Sequence, residues 1–120
     1  MAYDNSNIFA RILRGEIPVK KLYEDGYALA FPDISPKAPL HVLVIPKGPY
    51  ENMSDFAARA SEAEQAGFLR AVGKVAALTG ADENGYRLIS NCGANSHQEV
   101  PHLHVHILGG KKLGPMLVGD

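Results

Sequence analysis

Apolar residues at Ile8, Phe9, Ile12 and Leu13 recur at helical spacing and predict a short helix from Ile8 to Arg14. Ser6 is placed to cap its start and Gly15 to end it, with Pro18 just beyond. The pattern then changes. Lys21 to Glu24 and Tyr27 to Phe31 flank Asp25-Gly26, a two-residue signature of a β-hairpin. Pro32, Pro36 and Pro39 interrupt regular structure and predict a loop from Pro32 to Leu40. Val42 to Ile45 is a continuous apolar run that suits a strand buried on both faces. Ser61-Glu62-Ala63-Glu64 reads as a capping box. The helix it opens runs to about Thr79, with Phe68, Val72, Val75 and Thr79 on one face and Gly80 at its end. Tyr86 to Asn91 and His102 to Leu108 complete the pattern as two strands joined by a polar loop. Five strands with short or loop connections predict an antiparallel sheet with helices on one side, an α+β fold.

A chain of 120 residues accommodates one domain, residues 1–120, with 7–110 as its core and 111–120 as an extended tail. Hydrophobic residues make up 46% of it, enough for a modest core. Lys and Arg total 12 against 13 Asp and Glu, a formal net charge of −1. That balance supplies no field for nucleic acid or an anionic membrane, so neither is expected as a partner. Cys92 is the sole cysteine, which excludes an intrachain disulfide. Met1 to Asn7 is polar with no apolar signal region after it, and no apolar run has the length of a membrane span. The expectation is a soluble, reduced, cytoplasmic protein.

Three of the five histidines fall at His102, His104 and His106, separated by Leu103 and Val105 and followed by Ile107. On a strand this places three imidazoles on one face and an apolar row on the other. Such a row has two chemical uses. It can bind Zn²⁺ with a further ligand. Alternatively, a neutral imidazole can attack phosphorus, provided one ring nitrogen is held protonated and the other is free, while its neighbours donate to the phosphoryl oxygens. Spacing alone leaves both open.

The remaining blocks bear on the choice. They are Asn7-Ile8-Phe9, Gly15-Glu16-Ile17-Pro18, Phe31-Pro32-Asp33-Ile34-Ser35-Pro36 and His41-Val42-Leu43-Val44-Ile45-Pro46, then Gly85-Tyr86-Arg87-Leu88 with Asn91. Gln98-Glu99-Val100-Pro101-His102-Leu103-His104-Val105-His106 and Leu108-Gly109-Gly110 close the series. In this order, over nearly the whole chain, they resemble the histidine triad (HIT) superfamily. Gly109-Gly110 and Leu113-Gly114-Pro115-Met116 favour its Hint branch of nucleoside phosphoramidases over the Fhit branch.

The resemblance implies a HIT-like α+β fold, its five-stranded sheet extended across a homodimer, with each tail near the partner's active site. It implies hydrolysis of the P–N bond of purine nucleoside 5′-phosphoramidates, derivatives of AMP or GMP, through a covalent nucleotidyl-histidine, without metal or other cofactor. His104 matches the nucleophile. His102 matches the histidine whose carbonyl orients it, His106 a phosphate contact, and His41 a supporting histidine. Asp33 matches the acceptor of the ribose hydroxyls, with Ile34 beside it against the base. Ile8, Phe9, Ile12 and Leu43 match the purine slot, although core packing explains their spacing equally well. Asn91, Gln98 and Glu99 match positions lining the phosphate. Asp33 could instead cap a turn, Asn91 end a strand, and His41 sit satisfied in the core. Two departures stand out: Glu99 replaces a serine of the animal members, and Pro101 a frequent tyrosine. A carboxylate beside a phosphate is repulsive unless protonated or turned away. The rival readings are a dinucleoside polyphosphate hydrolase on the same scaffold and a non-catalytic nucleotide- or zinc-binding protein.

Overall fold

The computed structural model describes residues 3–117. Helix α1 spans Ile8–Leu13, and Gly15, at φ 80°, turns the chain out of it. Its cap is Asn7, whose side chain accepts the Ala10 amide. The predicted cap, Ser6, instead turns its amide and hydroxyl to Asp4.

The hairpin forms from β1, Tyr23–Glu24, and β2, Ala28–Pro32. Asp25 closes its turn by accepting the amides of Tyr27 and Ala28. Strand β3 covers Leu40–Pro46 and is buried on both faces from His41 to Pro46, in line with the continuous apolar run. Proline ends both β2 and β3, where the ladder needs no further donor. Helix α2, Met53–Arg59, was absent from the apolar pattern because only Phe56 of it is buried. Helix α3, Glu62–Leu78, opens on the full Ser61/Glu64 capping box and buries Phe68, Val72 and Val75. Gly67 is required there, since a Cβ would stand 2.3 Å from the Tyr27 ring. A single turn, α4 (Ala81–Asn84), leads into β4, Tyr86–Ile89, and a 3₁₀ turn at Ala94–Ser96 precedes β5, Val105–Gly109. The last two strands are thus shorter than the sequence pattern suggests.

The sheet is wholly antiparallel, in the order β1-β2-β3-β5-β4. Its faces have different covers, which corrects the expectation of helices on one side. Ala28, Ala30, Val42, Val44, Val105 and Ile107 point to the core under α2 and α3. Leu29, Phe31, Leu43 and Ile45 point the other way, to Phe9 and Ile12 of α1. Small residues on β2 face the long helix and large ones face the short helix. After β5 the chain lies back over β4, where Arg87 donates to the carbonyls of Gly114 and Pro115. The end of the expected tail, residues 118–120, falls outside the described residues. No described helix is long and apolar enough to cross a membrane.

Candidate active site

On the α1 face of the sheet, β3 and β5 run side by side with Leu43 opposite His106 and His41 opposite Leu108. Alternation persists ahead of β5: Leu103 and Val105 enter the α3 core, while His102, His104 and His106 take the opposite side. The three imidazoles do not share one environment. His104 and His106 line a cavity of about 550 Å³, whereas the His102 ring is fully buried and outside it. The picture of three rings facing a substrate is corrected on this point.

His102 is held at both ring nitrogens. Its Nε2 lies 2.9 Å from the Pro46 carbonyl, which accepts only, so Nε2 carries the proton. Its Nδ1 then accepts from the Tyr3 hydroxyl. The His102 carbonyl lies 2.7 Å from His104 Nδ1. That carbonyl, too, only accepts, so His104 is protonated at Nδ1 and its Nε2 is a lone pair with no partner among the described residues. Burial pushes His104 below the ordinary imidazole range, against smaller upward pulls from the His102 carbonyl, Asp33 and Glu99. Burial thus favours the neutral ring, whose Nε2 lone pair faces the cavity.

His41 and His106 form a second relay. The Lys37 amide donates to His41 Nδ1 at 3.0 Å, so His41 is protonated at Nε2. That nitrogen is 2.8 Å from His106 Nδ1, which must accept. His106 is therefore protonated at Nε2 and offers a donor. Burial, with His104 and His41 adding to it, holds His106 down at about 4. His41 is also lowered, by burial first, although the Asp33 carboxylate 3.5 Å from its Nε2 opposes this.

Asp33 lines the cavity just beyond β2, with Oδ1 accepting the Ser35 amide at 2.8 Å. It therefore closes a turn and still has acceptor capacity for a ligand. The cavity wall is apolar: Ile8, Phe9, Ile12 and Leu43, joined by Phe31 and Val100. Ile34 stands almost fully exposed at the rim. Asn91, Glu99 and His106 also border an adjoining cavity of about 310 Å³ that reaches Ser35, Lys37 and Leu108. Exposed Glu99 pairs with His97 at 2.9 Å. Gln98 is outside both cavities, because its side chain bonds the backbone of Gly93, Glu51 and Val100. Its expected place at a phosphate is corrected to that of a loop clamp.

Asp33, His41 and His106 bring three potential metal-ligand atoms within 4.8 Å of one another. The facing nitrogens of His41 and His106 are spent on each other at 2.8 Å. Tetrahedral Zn²⁺ at its usual bond lengths would need them about 3.3 Å apart, so a metal here has to break that bond.

Sequence reasoning missed several of these residues. Ile17, Val19, Phe31 and Val100 wall the cavity but carry no signal that separates them from core. Tyr3 is remote in sequence from His102, 99 positions away. Ser90, whose hydroxyl donates to the His104 carbonyl at 3.0 Å, looked like any strand residue.

A sheet of this order, with a carbonyl-anchored histidine over an apolar cavity, defines a class, and comparison names it: residues 14–113 match the HIT domain model, and the chain belongs to that family. It is 64% identical over 115 residues to an uncharacterized 13.2 kDa HIT-like protein of Azospirillum brasilense, covering 96% of this chain and 94% of that one. It is 46% identical over 112 residues to the purine nucleoside phosphoramidase of Escherichia coli K12, with 92% of each covered. Among solved structures, a HIT family hydrolase from Clostridium thermocellum superposes with a TM-score of 0.82 at 39% identity, covering 96% of this chain and 99% of that one.

Proposed function

We propose that the protein hydrolyses purine nucleoside 5′-phosphoramidates, with His104 as nucleophile. The observation that carries this reading is the pair of opposed tautomers in one cavity. His104 presents a free Nε2 lone pair, and His106 a donor. The 46% identity to a protein named purine nucleoside phosphoramidase supports the choice of substrate.

In this scheme the purine lies among Ile8, Phe9, Ile12, Phe31 and Leu43, and Asp33 accepts the ribose hydroxyls. His104 Nε2 attacks the α-phosphorus. The P–N bond breaks as the P–N(His104) bond forms, and the leaving nitrogen takes a proton from solvent water so that the amine leaves neutral, the resulting hydroxide being neutralised by bulk buffer. The His104 Nδ1–H stays on the His102 carbonyl, which stabilises the positive charge gained by the ring. His106 donates to a phosphoryl oxygen as its charge grows, and Asn91 borders the same space. Water then cleaves the nucleotidyl-histidine and releases the nucleoside monophosphate. Imidazoles carry the charge throughout, and the scheme calls on no metal. The exposed, free Cys92 suits the reducing cytoplasm as the place of action.

The reading includes a homodimer. Strand β4 is a sheet edge, and Leu88, Leu69 and Met53 beside it are exposed at 47%, 72% and 42% around an apolar recess of about 380 Å³. Pairing β4 with its copy covers both the edge and the recess.

Adenosine 5′-phosphoramidate incubated with the protein in excess chelator should yield AMP. Acid quench should trap an adenylyl adduct on His104, and His104→Asn should abolish turnover while still binding AMP. Preferential cleavage of a dinucleoside polyphosphate would move the assignment to that class. Activity lost to the chelator, or an adduct on another histidine, would overturn the scheme.

A further inference from the structure

The segment ahead of α1 reaches the site through a chain of hydrogen bonds that the scheme above leaves unused. Asn7 is 6% exposed and its side chain holds three partners, one of them the Asp4 carbonyl, which accepts from Nδ2 at 2.7 Å. Its Oδ1 caps α1, and its Nδ2 donates to the Tyr3 hydroxyl at 2.8 Å. With that oxygen accepting from Asn7, the Tyr3 O–H is free to donate to His102 Nδ1. His102 Nε2–H then donates to Pro46, and the His102 carbonyl receives Nδ1–H of His104.

The stretch 101–104 lies ahead of β5, so no sheet ladder fixes it. The peptide between His102 and Leu103 is held by the Leu103 amide on the Tyr50 carbonyl and by the His102 ring. Tyr3 closes that ring's second nitrogen, and its ring meets His102 edge-on at 5.7 Å. Phe9 of the helix capped by Asn7 packs its edge on both His104, at 4.9 Å, and His102.

We propose that Tyr3 is a positioning residue for His104: with the His102 tautomer set by the Pro46 carbonyl, the Tyr3 hydroxyl on Nδ1 secures the orientation of that ring, and so the carbonyl that keeps His104 protonated at Nδ1. Asn7 serves by orienting the Tyr3 hydroxyl. The proposal rests on His104 being the reactive ring, but part of its test does not depend on turnover.

Tyr3→Phe keeps the ring and removes the donor. His102 Nδ1 is then a buried lone pair without its donor, while Nε2–H stays on the Pro46 carbonyl, so the ring keeps its tautomer, loses one of the two bonds that hold its orientation and takes up a second proton more readily. In the full-length protein, kcat for adenosine 5′-phosphoramidate should fall on the order of tenfold, with KM within about twofold, because orientation and not binding is lost. Nitrogen-15 NMR of the histidine rings should show one tautomer each for His102 and His104 in the wild type. In Tyr3→Phe it should show a raised His102 pKa and loss of the single Nδ1–H tautomer at His104. Tyr3→Leu, which also removes the packing, should lose no more kcat than Tyr3→Phe. Unchanged kcat, His102 pKa and His104 tautomer in Tyr3→Phe would overturn the proposal, as would a loss confined to Tyr3→Leu, which assigns Tyr3 to packing alone. A wild type inert towards phosphoramidates would strike the proposed function, and the tautomer spectra would still decide the role of Tyr3.

Discussion

Buried neutral histidines make this fold sensitive to mild acid, and the size of the effect follows from the site. His102 is fully buried, and burial lowers it from 6.5 to about 4; His106 is lowered to about 4 for the same first reason. A histidine whose folded value is depressed binds its proton in the unfolded chain first. Stability is therefore full above pH 6.5 and is lost as pH falls towards 4. At pH 5 each such group favours the unfolded chain by about 2 kcal/mol, against about 0.2 kcal/mol at pH 7. His106 is only partly buried, so its share is discounted, and the two together should cost about 3 kcal/mol between pH 7 and pH 5. His41 and His104 are lowered too and act in the same direction. The depressed carboxylates, Asp55 at about 2 among them, lose their contribution only at lower pH, outside this window. Urea unfolding at pH 7, 6 and 5, at one protein concentration and ionic strength, measures the loss. A domain of this size has about 5–15 kcal/mol in all, so the midpoint should shift visibly. Stability that is level from pH 7 to 5, or that rises, would refute the neutral buried rings and the tautomer assignments with them.

Two further outcomes are expected. Asp33→Ala should reduce kcat/KM for ribonucleotide phosphoramidates about 10- to 100-fold more than for 2′-deoxy analogues, the worth of a hydrogen bond to a charged group; equal losses would make Asp33 only the partner of the Ser35 amide. Sedimentation at micromolar concentration should give twice the 12.9 kDa chain mass, and Leu88→Lys should halve it; a monomeric wild type with full activity would remove the dimer from the reading.

The features legible in the sequence were those written in a local period. The capping box and apolar face of α3, the double-sided burial of β3 and the alternation through His102 to Ile107 all appear in the structure. The pattern failed where both faces of a strand are apolar. Ala28 and Ala30 alternate with Leu29 and Phe31, and hydrophobicity alone does not say that one pair meets α3 and the other α1. It failed again on α2, whose single buried residue leaves no period to read. His102 and His104 look alike in the alternation. Only Tyr3 and Pro46, brought from far along the chain, separate an anchored ring from an open one. Gln98 shows the converse, a polar side chain in a site-like loop that is consumed by backbone groups.

The same residue type is given opposite chemical character at His104 and His106, by a backbone carbonyl at the first and by a backbone amide acting through the His41 side chain at the second. A carbonyl at Nδ1 turns the outward nitrogen of His104 into an acceptor. At His106, the Lys37 amide acting through His41 turns the outward nitrogen into a donor. Cations would erase this distinction, since a protonated ring donates at both nitrogens and has no lone pair for phosphorus. In the proposed scheme the burial that lowers both rings is a condition of the chemistry, and acid sensitivity is its cost. A substitution that opens either ring to water, by removing Phe9 or Leu43 from the wall, should relieve part of that sensitivity while weakening the nucleophile, because both effects spring from the same desolvation.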